Sequence, residues 1–533
     1  MLIGYVSDER YVALPDVMLE FVRDGKSFDV RSRASGSVHA DLEPGDYDVT
    51  LQKPGFGGKR TKCTVRPGGV HHFRMLSDCL LGYAWPKWIR AGDKSEFRVH
   101  SVEAYKLELW RYGLKREFIR NLGWYDEHGP RATMQVVPDG DYSQSGVRWN
   151  KQGYNIAVHN QYLEAPARSG LYYFQASTAG GAKFSFPWIV APAKPTARLA
   201  VLASNITWNA YNSFGGRSNY IHTDQLPATP TVNSRQELAR YSADFVQYGG
   251  QNYLPLSFDR PEPINHIDPK EEVTDPIEGR AACHIAPAEW RLLGWLEREG
   301  FDYDFYAETQ LDGGQLDLAN YRVLILSTHP EYWSHKMYQR LKRWVFEEGG
   351  RLLYLGGNGL NCEVEFLHDM ANEKLETAAM VVQNGDDREV KRLGLDSRMH
   401  QRRESEANLL GVVFTETGAM TAAPFRVIDE KHWVFAGTGL KQGEIFGRNG
   451  LHRRCEGGAS GHETDKVSSS SPKNVHLLAK GMNRDEGGAD MIYFDTPSGG
   501  QVFSASSITW PTCLLVDEQC SKITANVIKR FLG

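Results

Sequence analysis

Residues 321–355 read YRVLILSTHPEYWSHKMYQRLKRWVFEEGGRLLYL, and this stretch decides the fold of the C-terminal part of the chain. The apolar runs at 321–326 and 351–355 are typical of strands that are buried on both faces of a sheet. Between them Ser334 is placed to cap a helix, and Gly349-Gly350 is placed to end it. The apolar positions of that helix fall on one face: Met337, Leu341, Trp344 and Val345. This strand–helix–strand order predicts an open α/β unit with a right-handed crossover.

The segments on either side of this unit extend the same pattern. Residues 197–202 predict an earlier strand, 288–299 predict a helix, and 301–305 predict the strand that follows it. We therefore expect an α/β domain over residues 195–533, flavodoxin-like or class I amidotransferase-like. Within it, residues from about 360 to 490 give no clear pattern and include a long loop-like stretch.

The residues before the α/β domain predict β-structure throughout. Short alternating strands separated by Gly- and Pro-containing turns favour a small β-sandwich over residues 1–76, an accessory domain. Residues 77–194 continue in short, evenly spaced strands and favour a second, immunoglobulin-like or jelly-roll sandwich. The sequence thus predicts a multidomain β plus α/β protein with two N-terminal sandwiches.

Composition excludes several classes of protein. The chain has 533 residues, 41% hydrophobic and 24% charged, with a net charge of -5, as expected for a soluble globular protein without nucleic-acid or membrane partners. The first residues lack the pattern of a secretory signal, so we expect a cytoplasmic location. The seven cysteines form no C-x-x-C pair, which argues against a zinc ribbon or a disulfide scaffold. Cys513 and Cys520 are spaced closely enough to pair, but a reducing cytosol favours free thiols.

Polar and aromatic residues follow three of the predicted strands. Residues 204–216, 327–333 and 356–359 each lie directly after an apolar run. Because ligands in open α/β sheets bind beyond the carboxyl ends of the strands, we expect these segments to meet at one edge of the sheet.

Common catalytic motifs are missing from the sequence. There is no G-x-S-x-G elbow, no Walker loop, no G-x-G-x-x-G after a strand and no H-E-x-x-H pair. Asn358 stands where a related amidotransferase would place its nucleophilic cysteine, and Cys362 follows four residues later. A metal site is the better candidate, because residues 329–331 and 461–465 offer histidine and carboxylate side chains as ligands. The alternatives are a turn-stabilising histidine for the first segment and a solvated run of charges for the second.

Three motifs together resemble a known family. Residues 208–216 (WNAYNSFGG), 329–333 (HPEYW) and 356–359 (GGNG) resemble, in order and spacing, the large (beta) subunit of N,N-dimethylformamidase. The resemblance runs from about residue 197 to the C-terminus and, more loosely, through the preceding sandwich. It leaves residues 1–76 without a counterpart.

The resemblance implies a mononuclear non-haem Fe(III) site held by two Tyr phenolates and one Glu. By position the ligands would be Tyr211, Tyr253 and Glu331, with Tyr248 as the alternative to Tyr253. The residues that surround the metal in that family would be His329, Asn358 and Glu463. Anionic oxygen ligands suit a hard, highly charged ion.

The function implied is hydrolysis of a small N-substituted amide of the formamide type. Glu463 or His329 would act as general base, Asn358 would donate to the developing oxyanion, and Trp208 and Trp333 would line the substrate pocket. We expect a homo-oligomer and, by the resemblance, a small subunit supplied in trans. Two other functions stay open: a metal-free amidotransferase-like hydrolase that uses Cys362, and a non-catalytic protein that binds carbohydrate or a partner.

Overall fold

The computed structural model of the chain describes residues 1–125, 137–149, 161–232, 253–277, 284–367, 378–384 and 387–533. Within these ranges the chain is mostly β-sheet with few helices, and its buried apolar residues fall into several separate clusters. The prediction of a multidomain protein with β-sandwich layers agrees with this architecture. None of the helices in the described ranges is long and apolar enough to cross a membrane.

The first 75 residues form two small sheets around a core of their own. Val6, Leu19 and Phe73 are fully buried in it. The sheets have the strand orders β4-β1-β7 and β3-β2-β5-β6. The strands are β1 Leu2–Ser7, β2 Met18–Arg23, β3 Lys26–Arg31, β4 Ser37–His39, β5 Gly45–Lys53, β6 Gly57–Val65 and β7 His71–Arg74.

A second pair of sheets follows and also encloses a core. Trp188 is fully buried there, and its indole N–H donates to Ser95 Oγ at 2.9 Å. The sheets have the orders β13-β10-β8 and β12-β11-β14-β15-β9. Their strands are β8 Leu81–Trp85, β9 Trp88–Arg90, β10 Lys94–His100, β11 Tyr105–Tyr112, β12 Arg116–Tyr125, β13 Tyr162–Glu164, β14 Gly170–Thr178 and β15 Lys183–Ala191.

The third layer is a nine-stranded mixed sheet of order β18-β16-β19-β21-β32-β31-β30-β26-β27. The first five strands of this order are parallel, and the last four extend the sheet in antiparallel fashion. The strands are β16 Leu199–Ala203, β18 Asp304–Ala307, β19 Val323–Thr328, β21 Arg351–Gly356, β26 Phe425–Val427, β27 Ile445–Phe446, β30 His476–Gly481, β31 Asp490–Asp495 and β32 Gln501–Ser504.

Helices pack against this sheet, and the strand–helix–strand unit predicted from the sequence is present. Its helix, His335–Phe346, begins after Ser334, whose Oγ accepts the Met337 backbone N–H at 3.1 Å. The α-helices of the described ranges are α1 Tyr142–Ser145, α2 Asn205–Tyr211, α3 Ala286–Arg298, α4 Glu308–Asp312, α5 His335–Phe346, α6 Asp387–Leu393, α7 Ala407–Leu410, α8 Trp510–Cys513 and α9 Glu518–Leu532.

In the described part of residues 360–490, for which the sequence shows no clear pattern, the regular elements are mostly short strands. A four-stranded sheet of order β17-β23-β22-β20 includes two of these strands, and four more form the two-stranded pairs β24-β29 and β25-β28. The strands are β17 Leu256–Ser257, β20 Tyr332–Trp333, β22 Cys362–Leu367, β23 Ala379–Val382, β24 Val413–Phe414, β25 Ala422–Ala423, β28 Ser460–Gly461 and β29 Asp465–Lys466. Strands of two or three residues are too short to show a periodicity.

Candidate metal centre and active site

The central segments of the site follow directly after two neighbouring parallel strands, β16 and β19. After β16 the chain enters α2, whose Thr207 Oγ accepts the Glu331 backbone N–H at 3.2 Å. After β19 it turns sharply at Thr328, which has a φ of 57°, a left-handed value that is unusual for a β-branched residue. The turn places Glu331 against α2, and strand β20 then continues from it. Polar segments that follow neighbouring strands therefore meet, as the strand pattern predicts.

Glu331 lies at the centre of a buried cluster of tyrosines. Tyr211 OH donates to its carboxylate at 3.3 Å, and Tyr220 OH donates at 2.8 Å. Tyr220 OH in turn accepts from Tyr332 OH at 2.8 Å. The Glu331 side chain is 5% exposed, and this burial is the main reason why its pKa lies above the usual value for a carboxyl group. Two phenols and one carboxylate thus converge at a single point.

The second tyrosine that donates to Glu331 is Tyr220, whereas Tyr253, which the resemblance implied, stays a prediction. Tyr253 OH accepts a hydrogen bond from Arg398 Nη2 at 3.4 Å. Tyr253 belongs to the same buried core cluster as Tyr211 and Tyr220. Tyr248, the alternative, lies outside the described residues. Tyr220 carries no local sequence signal, and its position depends on how residues 212–232 fold back over α2.

A second carboxylate, Glu463, lies beside the first. His329 Nε2 is 3.1 Å from Glu463 Oε2 and 3.3 Å from Glu331 Oε2. Asn358 Nδ2 donates to Glu463 Oε2 at 2.9 Å. Burial opposes ionisation of Glu463, but the charge and hydrogen bond of His329, together with Asn358, hold its pKa well below the usual range. Glu463 is therefore an ionised carboxylate next to the Glu331 cluster, and the segment 461–465 is not a solvated run of charges.

The glycine turn after β21 is shaped to reach Glu463. A Cβ on Gly357 would lie 2.3 Å from the Glu463 carbonyl oxygen, so only glycine allows this approach. Asn358 has a φ of 50°, and its backbone N–H donates to Asp465 Oδ1 at 2.8 Å. The conformation of the turn thereby aims the Asn358 side chain at Glu463.

Further residues complete or border the cluster. His284, which belongs to none of the sequence motifs, has its Nδ1 2.9 Å from His329 Nδ1. Trp208 and Trp333 are buried in the core, and the Trp333 indole N–H donates to Glu308 Oε1 at 2.8 Å. The role of these two tryptophans as substrate-pocket residues stays a prediction.

The donor set at Glu331 fits a hard trivalent cation. Within the described ranges no group of three or more His, Cys, Asp and Glu side chains is arranged to hold a metal ion. Tyr211, Tyr220 and Glu331 are a different set of three oxygen ligands, in which both phenols donate a hydrogen bond to the carboxylate. Each phenol donates a hydrogen bond to the carboxylate, and loss of the two phenolic protons would leave three anionic oxygens facing one point.

Asp465 accepts a hydrogen bond from the glycine turn, and its ionisation should make the free energy of unfolding depend on pH. Burial raises its pKa to about 7. From about pH 4 to pH 7 the folded chain therefore holds a proton that the unfolded chain has lost, and the free energy of unfolding falls as the pH rises, by up to ~1.4 kcal/mol per pH unit. We expect Asp465→Asn to reduce this slope in urea titrations at several pH values. Asp302→Asn, at an exposed position, is the matched control, and equal slopes in both variants would contradict the assignment.

Comparison with known proteins identifies the family of this chain. Residues 115–522 match the family described as "N,N-dimethylformamidase beta subunit-like, C-terminal". The chain is 26% identical to the N,N-dimethylformamidase beta subunit of Paracoccus aminophilus, over 93% of this chain and 73% of that protein. It is 26% identical to the subunit of the same name from Alcaligenes sp., over 65% of this chain and 50% of that protein.

A likeness to solved structures is weaker. A beta-galactosidase from Rahnella sp. R3 matches 48% of this chain and 29% of its own, with 12% identity and a TM-score of 0.25, too low to support an argument about fold or function. The family match, by contrast, covers more than half of the chain and includes every motif on which the resemblance rests. The chain therefore belongs to the N,N-dimethylformamidase beta subunit-like family, a family of hydrolases that act on amide C–N bonds.

Proposed function

We propose that this chain hydrolyses a small N-substituted amide of the formamide type and carries a mononuclear Fe(III) ion. The observation that carries the proposal is the convergence of Tyr211 and Tyr220 on the buried carboxylate of Glu331. Tyr211, Glu331 and a second tyrosine would hold the ion. Tyr220 is the better placed second tyrosine, and Tyr253 is the alternative implied by the family. When bound, the ion would polarise the amide carbonyl and make water in the site more acidic.

The residues around this centre supply the proton transfers. Glu463, held ionised by His329 and Asn358, is the general base that takes a proton from the attacking water as the new C–O bond forms. It then returns that proton to the leaving nitrogen as the C–N bond breaks, which yields a carboxylic acid and an amine. Asn358 keeps Glu463 in position and has a second amide hydrogen that can reach the developing oxyanion.

The partners are proposed from the relatives. Both are named beta subunits, so we propose that this chain works with a second, smaller polypeptide. Three points stay predictions from the sequence. They are a homo-oligomeric state, a cytoplasmic location and a flavodoxin-like or amidotransferase-like fold of the α/β domain.

The metal-free alternative is less well supported. Cys362 is fully buried at the start of strand β22, where its backbone N–H donates to the Glu331 carbonyl oxygen at 2.9 Å. A nucleophilic thiol needs exposure and a group that favours the thiolate. Burial inside the core denies the Cys362 thiol this exposure, which argues against its role as a nucleophile.

The deciding experiment is to measure iron content and visible absorption of the full chain, expressed in iron-supplemented medium. We expect about one iron per chain and a tyrosinate-to-iron charge-transfer band. Tyr211→Phe should lose both, because it removes one of three anionic donors. Tyr220→Phe and Tyr253→Phe then identify the second ligand by which of them also loses the band. Well-folded protein without bound iron would overturn the metal assignment.

A further inference from the structure

His462 occupies a strained position directly before Glu463. It lies in the turn between β28 and β29 with a φ of 67°, a left-handed value that a non-glycine residue adopts at some cost. Its side chain is fully buried. The ring centroid lies 5.1 Å from that of His284 and 6.4 Å from that of His329, so His462 faces the same cluster as Glu331 and Glu463.

The proton on His462 can be assigned from its neighbours. The Cys455 backbone N–H donates to His452 Nδ1 at 3.2 Å, so that nitrogen carries no proton. Burial lowers the pKa of His452 to about 3, which keeps the ring neutral with its proton on Nε2. His452 Nε2 lies 3.0 Å from His462 Nδ1 and therefore donates to it. Burial also holds the pKa of His462 well below the usual value, so His462 is neutral and carries its own proton on Nε2.

This Nε2–H is a buried donor that needs an acceptor. Among the described residues it has no hydrogen-bond partner. Buried polar groups in proteins are nearly always paired, and an exception at a strained residue points to a ligand that completes the pair. The ring faces His284 and His329, whereas His452 occupies its other nitrogen. An acceptor atom of a molecule bound in the Glu331–Glu463 site would meet this donor.

We propose that His462 is a further catalytic residue, which donates its Nε2–H to the carbonyl oxygen of the bound amide, and that His452 is the positioning residue that fixes its tautomer. The proposal rests on the proposed amide hydrolysis. As water attacks, negative charge develops on that oxygen, and a neutral imidazole stabilises it by a hydrogen bond without giving up its proton. The role is distinct from that of Glu463, which moves the proton.

Kinetics of the full chain with iron and any partner subunit test the catalytic role. His462→Phe should lower kcat for N,N-dimethylformamide about 100-fold, the usual cost of one oxyanion donor, with iron content unchanged. His462→Gln keeps an N–H donor and should recover part of the loss. His39→Phe, at an exposed position, is the control. An unchanged kcat in His462→Phe, with an active wild type, would overturn the inference and leave the proposed function intact.

Neutron crystallography of the same protein tests the tautomer without using activity. The hydrogen should be on Nε2 of His462 in the wild type, and its position should be shared between the two nitrogens in His452→Phe. A hydrogen on Nδ1 of wild-type His462 would overturn the inference whatever the kinetics show. If the wild type hydrolyses no small amide, the catalytic role fails together with the proposed function. The neutron result then decides only whether His462 carries its hydrogen on Nε2.

Discussion

Glu463→Gln is expected to hydrolyse small amides about a thousand-fold more slowly than the wild type, with kcat rather than KM carrying the loss. A positioned general base contributes ~10²–10⁴-fold, and glutamine keeps the size and the polarity of the side chain but cannot accept the proton. Asn358 and His329 hold Glu463 ionised through contacts of 2.9 and 3.1 Å. The substitution therefore removes a carboxylate that is already ionised and able to accept a proton.

The same variant separates proton transfer from metal binding. Tyr211 and Tyr220 donate to Glu331, whereas Glu463 contacts Asn358 and His329, so iron content and the charge-transfer band should stay as in the wild type. Glu348→Gln, on the surface beside Arg343, is the matched control and should leave both iron and kcat unchanged. Loss of iron in Glu463→Gln would make Glu463 a ligand, and full activity would remove it from the mechanism.

Sequence periodicity was a sufficient guide wherever local chemistry determines structure. Helix α5 has a Ser334 cap, an apolar face and a glycine end, and it lies where these signals put it. Four strands of the second pair of sheets likewise include the segments predicted from alternation, which are 95–100, 106–111, 170–176 and 184–190. In both cases the determinants are neighbours in the sequence, and the core only adds to them.

The candidate site shows where such reasoning stops. Glu331, His329 and Asn358 follow strands of the sheet, and the structure brings them together with Glu463. Tyr220, by contrast, lies nine residues after Tyr211, and only the long-range fold of its loop brings its hydroxyl group to Glu331. His284 and His452 are likewise placed by the fold. The His284 ring contacts His329, 45 residues later, and the His452 ring contacts His462, 10 residues later. Spacing in a sequence cannot encode such contacts, and so position alone favoured Tyr253.

The residues before the family match have a structural connection to the site. Arg74, at the end of β7, is fully buried and donates to three backbone carbonyls, those of Asp8 at 2.8 Å, Gly140 at 3.0 Å and Gly215 at 3.0 Å. A Cβ on Gly216 would lie 2.5 Å from Tyr11 Cβ, so this glycine lets the two segments touch. The first pair of sheets thus holds the loop that carries Tyr220.

Arg74→Met is accordingly expected to destabilise the chain by at least ~4.5 kcal/mol, because three buried carbonyls lose a charged donor worth roughly 1.5 kcal/mol or more each. For a transition of domain size this corresponds to a fall in Tm of about 10 °C, measured by calorimetry. Iron should also be retained less well, since the Tyr220 loop loses its support. Arg66→Met, at an exposed position, is the control. A variant with the Tm and iron content of the wild type would show that the N-terminal sheets do not hold the site, and their contact with residues 215–216 would then be packing alone.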